Sequence, residues 1–174
     1  EILSNKIENI FNQHKIPSLS VIITNKNKNI LEQYHGYNHI EKQIPFNQNS
    51  IVRIASMTKP ITSLCIFQLI ERNLISLETN IEDIDKRFSD IEIVQLIGDK
   101  PQYSKANTKI KIKHLLNHTS GYGYQFLNPE IKFLVDQKIL QDIQDDGEDF
   151  LDSPILFEPG TRWNYGISTD LLGY

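Results

Sequence analysis

Residues 61–70 are apolar nearly all round: Ile61, Leu64, Cys65, Ile66, Phe67, Leu69 and Ile70 leave no polar stripe. A surface helix keeps such a stripe, so a helix of this composition is expected to lie buried between other elements. Pro60 suits its first turn, where a missing N–H costs little, and Asn73 suits a left-handed end. The chain is therefore expected to be layered, with this helix inside. Residues 50–54 read as a strand running toward it, and Ala55-Ser56-Met57-Thr58-Lys59 lies at its mouth.

Upstream, Leu3, Ile7, Ile10 and Phe11 recur at helical spacing, which predicts an amphipathic helix ending before Pro17. Leu19, Val21 and Ile23 alternate with Ser20, Ile22 and Thr24 as a strand should. A polar turn over 25–29 leads to a returning strand over 30–37. Helix followed by hairpin opens an α+β layer. Beyond Leu77, helix and loop are expected: a short helix over 111–117 stopped near Gly121, and a longer one over 130–141 with Ile131, Leu134, Val135 and Ile139 inward. Residues 142–152 are acidic and read as solvated surface, with Asp145-Asp146-Gly147 at a loop tip, and Pro159-Gly160 makes a turn. Two regions are expected: 1–75, part of an α/β sheet domain with the apolar helix, and 76–174, mostly helical.

A length of 174 residues suits one domain or part of a larger one. The net charge of −4 argues against a nucleic-acid partner, and Lys109, Lys111 and Lys113 read as a solvated face. Cys65 is the single cysteine, so no internal disulfide forms, and its apolar neighbours suggest an inert thiol. No apolar run approaches the ~18 residues of a membrane span. The chain opens at Glu1 with no visible signal peptide, which leaves the compartment open. His114 and His118 stand four apart, but Leu115 occupies the place where a zinc protease helix needs glutamate, so no metal site is expected. No cofactor is implied.

Ser56 and Lys59, three apart, can share one face of a helical turn. A serine hydroxyl becomes a nucleophile when a neighbouring base takes its proton. A lysine can do so near pH 7 only if its environment lowers its proton affinity from the ordinary value of about 10.4. A helix N-terminus would also aim the serine's own N–H at an oxyanion. Chance weakens the signal: 12 serines and 14 lysines in 174 residues make one such spacing unsurprising. An N-cap serine beside a surface lysine reads equally well from these residues.

Two later stretches alter the balance. Ile112-Lys113-His114-Leu115-Leu116-Asn117-His118-Thr119-Ser120-Gly121 and Phe157-Glu158-Pro159-Gly160-Thr161-Arg162-Trp163-Asn164-Tyr165 follow Arg53-Ile54-Ala55-Ser56-Met57-Thr58-Lys59 in that order. Together they resemble the serine β-lactamase-related hydrolases, a superfamily of class C β-lactamases, D-alanyl-D-alanine peptidases and family VIII esterases. The resemblance runs from about Leu19 to Tyr174. It implies an α+β, β-lactamase/transpeptidase-like fold: an antiparallel sheet flanked by helices, plus a mostly helical region. It also implies an acyl-enzyme mechanism with Ser56 as nucleophile, Lys59 as general-base partner and Tyr165 as a second acid/base group facing Ser56. The alternative for Tyr165 is an aromatic core residue beside Trp163, and its position just after the Pro159-Gly160 turn favours the functional role. The substrate would be a small-molecule ester, amide or peptide.

Two departures refine that expectation. The β-lactamases and peptidases usually carry an asparagine two residues after this tyrosine, and here Ile167 stands there. An esterase-like enzyme is therefore expected over a β-lactamase, with a peptidase, a penicillin-binding protein or a non-catalytic ligand-binding relative as alternatives. Asp170 resembles an acidic residue of the family with a structural hydrogen-bonding role. The family also continues past the tyrosine to a strand with Lys-Thr-Gly or His-x-Gly, which supplies the other oxyanion N–H. The expectation is thus an N-terminal fragment without those sheet strands, inactive or poorly folded alone.

Overall fold

A helix ahead of an antiparallel hairpin occupies residues 1–54, the first of two compact units into which the chain divides. The computed structural model describes residues 2–174 apart from 144, 146 and 148. Helix α1 (Ile2–His14) buries Ile7 and packs against β2 (Asn29–His39), with the Phe11 ring stacked 5.3 Å from that of His35. Strand β1 (Ser18–Thr24) pairs antiparallel with β2, and a short β3 (Ile44–Pro45) pairs with the far end of β2. The polar turn forms because Asn25 Oδ1 accepts the N–H groups of Asn27 and Lys28, at 2.9 and 3.0 Å.

The second unit runs from Ala55 to Tyr174. Helix α2 (Thr58–Glu71) begins as Pro60 allows and ends at Asn73, whose φ of 57° is the expected left-handed stop. It packs against α6 (Ser168–Gly173), which also packs against α4 (Ile112–Leu116). Between them lies a core that includes Ile66, Ile81, Ile110, Leu115, Tyr122, Ile155, Ile167 and Leu171. Helix α5 (Pro129–Asp136) closes a smaller cluster of Val94, Ile131 and Leu134. Helix α3 (Ile81–Ile84) is a single turn. Among the described residues no helix is long and apolar enough to cross a membrane.

An antiparallel hairpin stands where helix and loop were expected. Strand β4 (Glu92–Ile97) pairs with β5 (Lys100–Lys105) across the two-residue turn Gly98–Asp99, with Gly98 at φ 62°. Its signal was present: a β-branched run over 91–97 closed by Gly-Asp is a hairpin signature. Residues 50–54 form no strand, and Ile51 is 94% exposed, because an alternating run becomes a strand only beside a partner. Helix α2 is not buried all round either. Ile61, Leu64, Cys65 and Phe67 are exposed, while Ile66, Leu69 and Ile70 join the core cluster that includes Leu171 of α6. Helix α5 stops at Asp136, Lys138 turns left-handed at φ 56°, and Ile139 is left exposed. Of the acidic loop tip, Asp146 lies outside the described residues.

Of the three lysines read as a solvated face, Lys109 is exposed and Lys111 and Lys113 are half-buried, and all three are ion-paired. Lys109 bonds Glu82, while Lys111 and Lys113 both donate to Glu78 at 2.8 and 2.6 Å. Those two hydrogen bonds, Lys111 first, hold the Glu78 carboxyl at about 2. Pairs this open to solvent contribute little to stability.

Ile155 ties the hairpin to the rest of the unit. Its N–H donates to the Glu92 carbonyl at 2.9 Å, its carbonyl accepts from Val94 at 2.8 Å, and Leu156 next to it donates to the Gly121 carbonyl at 2.8 Å. The side chain is fully buried. Ile155→Ala in the full-length protein is expected to cost about 2–5 kcal/mol of unfolding free energy, read from the urea midpoint. A loss below about 1 kcal/mol would show that this contact does not anchor the hairpin.

Candidate active site

Ser56 sits on a 3-10 turn, Ala55–Met57, that runs straight into α2. Ala55 holds φ 46°, a left-handed conformation that alanine adopts at a cost of order 1–3 kcal/mol. The N-cap of α2 is Met57, with no side-chain cap bond, so the serine is not spent on capping. Its Oγ is exposed and accepts a 2.8 Å hydrogen bond from the Tyr165 hydroxyl. The N-cap alternative left open by the sequence is thereby removed.

Tyr165 is held by its neighbours. The Asn164 N–H donates to the His118 carbonyl at 2.9 Å, and its Nδ2 donates to the Tyr122 carbonyl at 2.9 Å and to Asn128 Oδ1 at 3.3 Å. At Gly166, a Cβ would fall 2.2 Å from the Tyr122 carbonyl oxygen, so no larger residue fits. Residues 164–166 are thus pressed against 118–124, and the Tyr165 ring is left half-buried beside His118, with centroids 4.8 Å apart.

Lys59, the second residue of α2 and half-buried, does not bond Ser56. Its Nζ donates to the Tyr124 hydroxyl at 3.0 Å and lies 5.1 Å from the Tyr165 ring centroid and 5.5 Å from that of Tyr124. The Tyr124 hydroxyl in turn donates to Asp170 Oδ2 at 2.7 Å. Burial first, then that hydrogen bond and the carboxylate charge, push the Tyr124 phenol well above its ordinary value of 10, so it stays protonated. Ser56, Lys59, Tyr124 and Asp170 line one cavity of about 710 Å³ with Phe126 and Phe150. A larger cavity of about 950 Å³, beside α5, has none of Ser56, Lys59 and Tyr165 in its walls.

The structure thus brings together all three residues singled out from the sequence. It adds Tyr124, which sequence reasoning missed. The available signal was the tyrosine alternation around Gly123 directly after the His118–Gly121 segment. Ile167, by contrast, belongs to the core at 4% exposed, so it has no access to a bound substrate. The histidines part company. His114 Nδ1 accepts the Lys111 N–H at 3.2 Å. His118 Nδ1 is buried with no partner. Among the described residues, no three His, Cys, Asp or Glu side chains gather where a metal could sit.

Burial is the main cause, and the Lys59 charge the next, that hold the His118 imidazole below its ordinary 6.5; Asp170 opposes both. His114 is lowered too, first by burial and then by Lys113 and Lys111. The unfolded chain therefore binds protons more readily than the folded one. Stability present above about pH 6.5 is lost as pH falls through the folded values. The urea midpoint should drop between about pH 7.5 and 5, and His118→Gln should shrink that drop. An undiminished drop in the variant would contradict the assignment.

A family profile described as Beta-lactamase matches residues 3–174. Acyltransferase mokF of Monascus pilosus is 31% identical over 135 residues, which is 74% of this chain and 32% of that protein. Lovastatin esterase of Penicillium rubens is 31% identical over 137 residues, 76% of this chain and 34% of that protein. Unliganded simvastatin synthase (LovD) from Aspergillus terreus superposes with a TM-score of 0.84 at 26% identity, over 99% of this chain and 46% of that one. The chain therefore spans less than half the length of each of these relatives.

Proposed function

Because the chain belongs to the beta-lactamase family and has its β-lactamase/transpeptidase-like fold, we propose that the full-length protein is a serine acyl-enzyme hydrolase acting on small esters. Ser56 is the nucleophile, and Lys59 and Tyr165 handle the protons. The observation that carries this reading is the 2.8 Å hydrogen bond between the Tyr165 hydroxyl and Ser56 Oγ, with Lys59 Nζ over the same ring.

In the first half of the reaction Ser56 Oγ bonds to the substrate carbonyl carbon as its proton passes to the Tyr165–Lys59 pair. The Tyr165 hydroxyl donates to Oγ in the resting site, so it takes the serine proton as its own hydrogen passes to a neutral Lys59 amine, or as a phenolate whose charge the Lys59 ammonium offsets. The carbon–oxygen bond to the alcohol then breaks, and the departing oxygen takes a proton from the same pair. In the second half water attacks the Ser56 ester, its proton is carried to Oγ, and the acid leaves. An alcohol in place of water turns the same intermediate to acyl transfer. The acyltransferase and esterase names among the relatives support one intermediate with two fates.

The peptidase and penicillin-binding alternative has less support, since the asparagine that would contact an amide is replaced by a core isoleucine. A non-catalytic ligand-binding relative would have no use for a serine, a lysine and a tyrosine held at these distances. A fluorophosphonate probe should add to Ser56 of the full-length protein by intact mass, and Ser56→Ala should carry no adduct. Lys59→Met and Tyr165→Phe should each lower kcat on a p-nitrophenyl ester by about 10²–10⁴-fold. Labelling that survives Ser56→Ala would sink the reading, and a β-lactam turned over faster than the ester would overturn its esterase branch.

A further inference from the structure

One group at the cleft has no part in the proton steps above: the Tyr124 phenol between Lys59 and Asp170. We propose that Asp170 and Tyr124 are positioning residues for Lys59, the carboxylate taking the phenol's hydrogen so that the phenol oxygen turns a lone pair to Nζ and holds it beside Tyr165. This rests on the acyl-enzyme reading and deepens it.

The directions of the hydrogen bonds follow from counting hydrogens. A phenol has one to donate, and it goes to Asp170 Oδ2 at 2.7 Å, so the same oxygen can only accept from Lys59 at 3.0 Å. An unpartnered phenolic O–H would rotate and present Nζ with a hydrogen as readily as with a lone pair; the carboxylate removes that choice. The phenol keeps its proton through the neutral range, for burial and Asp170 raise it together. Tyr124 is thus a fixed acceptor, chemically distinct from Tyr165.

Location supplies the reason for such a device. A side chain two residues after Tyr165 cannot anchor Lys59, because Ile167 is turned into the core. Asp170, one helical turn further along, lies in the first turn of α6 and lines the cavity. The carboxylate acts through the phenol: Lys59 bonds Tyr124, not Asp170. Relaying the attraction leaves Nζ aimed at the Tyr165 ring, 5.1 Å away, where a direct ion pair would draw it toward α6. The titratable groups facing Lys59 are Tyr124 and His118 from the 118–124 segment, Tyr165, and Asp170 from α6.

The test uses the full-length protein, an activated ester and a fluorophosphonate probe. Tyr124→Phe and Asp170→Asn should lower kcat by about 10–100-fold with KM nearly constant, because Nζ is misplaced rather than removed. Both should also move the kcat/KM–pH profile to lower pH, since a lysine that loses an acceptor or an anionic neighbour gives up its proton more readily. Asp170→Glu should recover part of both effects. Circular dichroism and the thermal midpoint report whether each variant is folded. An unmoved profile with unchanged kcat, or a kcat loss that matches the loss of folded protein with the profile unmoved, overturns the positioning role. A wild-type protein that takes up probe on Ser56 while these variants label at its rate overturns only this inference. A wild-type protein that never labels on Ser56 overturns both.

Discussion

The backbone of residues 164–166 is pressed against that of residues 118–124, and the site is built on that contact. Gly166 leaves no room for a Cβ beside the Tyr122 carbonyl, and Asn164 bonds both the His118 and Tyr122 carbonyls. These three points fix where Tyr165 emerges. They also fix Tyr124, whose N–H is bound by the same Asn128 that bonds Asn164. Two tyrosines from separate stretches of chain thereby stand 5.5 Å apart, close enough to flank a single ammonium group. A buried serine pair behind them, Ser120 to Ser168 at 2.8 Å, attaches the start of α6 to the same segment and so places Asp170.

The charge arrangement follows from that scaffold. A lone ammonium in a half-buried aromatic cleft would be costly, and two ring faces, a phenol oxygen and the field of Asp170 offset the cost. The Tyr124 oxygen holds Nζ near the Tyr165 ring, whereas a direct carboxylate partner would draw it toward α6. His118 stays neutral beside the cation for the reciprocal reason: burial and Lys59 both disfavour a second positive charge. The two tyrosines divide the work. Tyr124 is locked as a phenol by its carboxylate, and Tyr165 touches the serine.

Where the sequence was legible, short-range physics was at work. The amphipathic spacing of Leu3 to Phe11, the alternation of β1, the asparagine turn and the left-handed end at Asn73 all depend on neighbours within a few residues. The same local logic could have exposed the β4–β5 hairpin, because Gly98-Asp99 is a turn signature. The misreadings came from long-range partners. Residues 50–54 have the composition of a strand and no strand to pair with. The apolar circumference of α2 measures how much surface it could bury, while its exposed Ile61, Leu64 and Phe67 record which neighbours these residues supply.

The amino-acid sequence by itself determined the family and singled out Ser56 as candidate nucleophile with Lys59 and Tyr165 as its candidate partners, because the order and spacing of three motifs survive in one dimension. Only the tertiary structure decided what those partners touch. Lysine and serine three apart could have bonded each other directly, yet Lys59 turns to Tyr124 and Ser56 to Tyr165. The choice depends on side chains 65 and 109 residues away, brought close by a glycine contact that leaves no periodic trace in the chain.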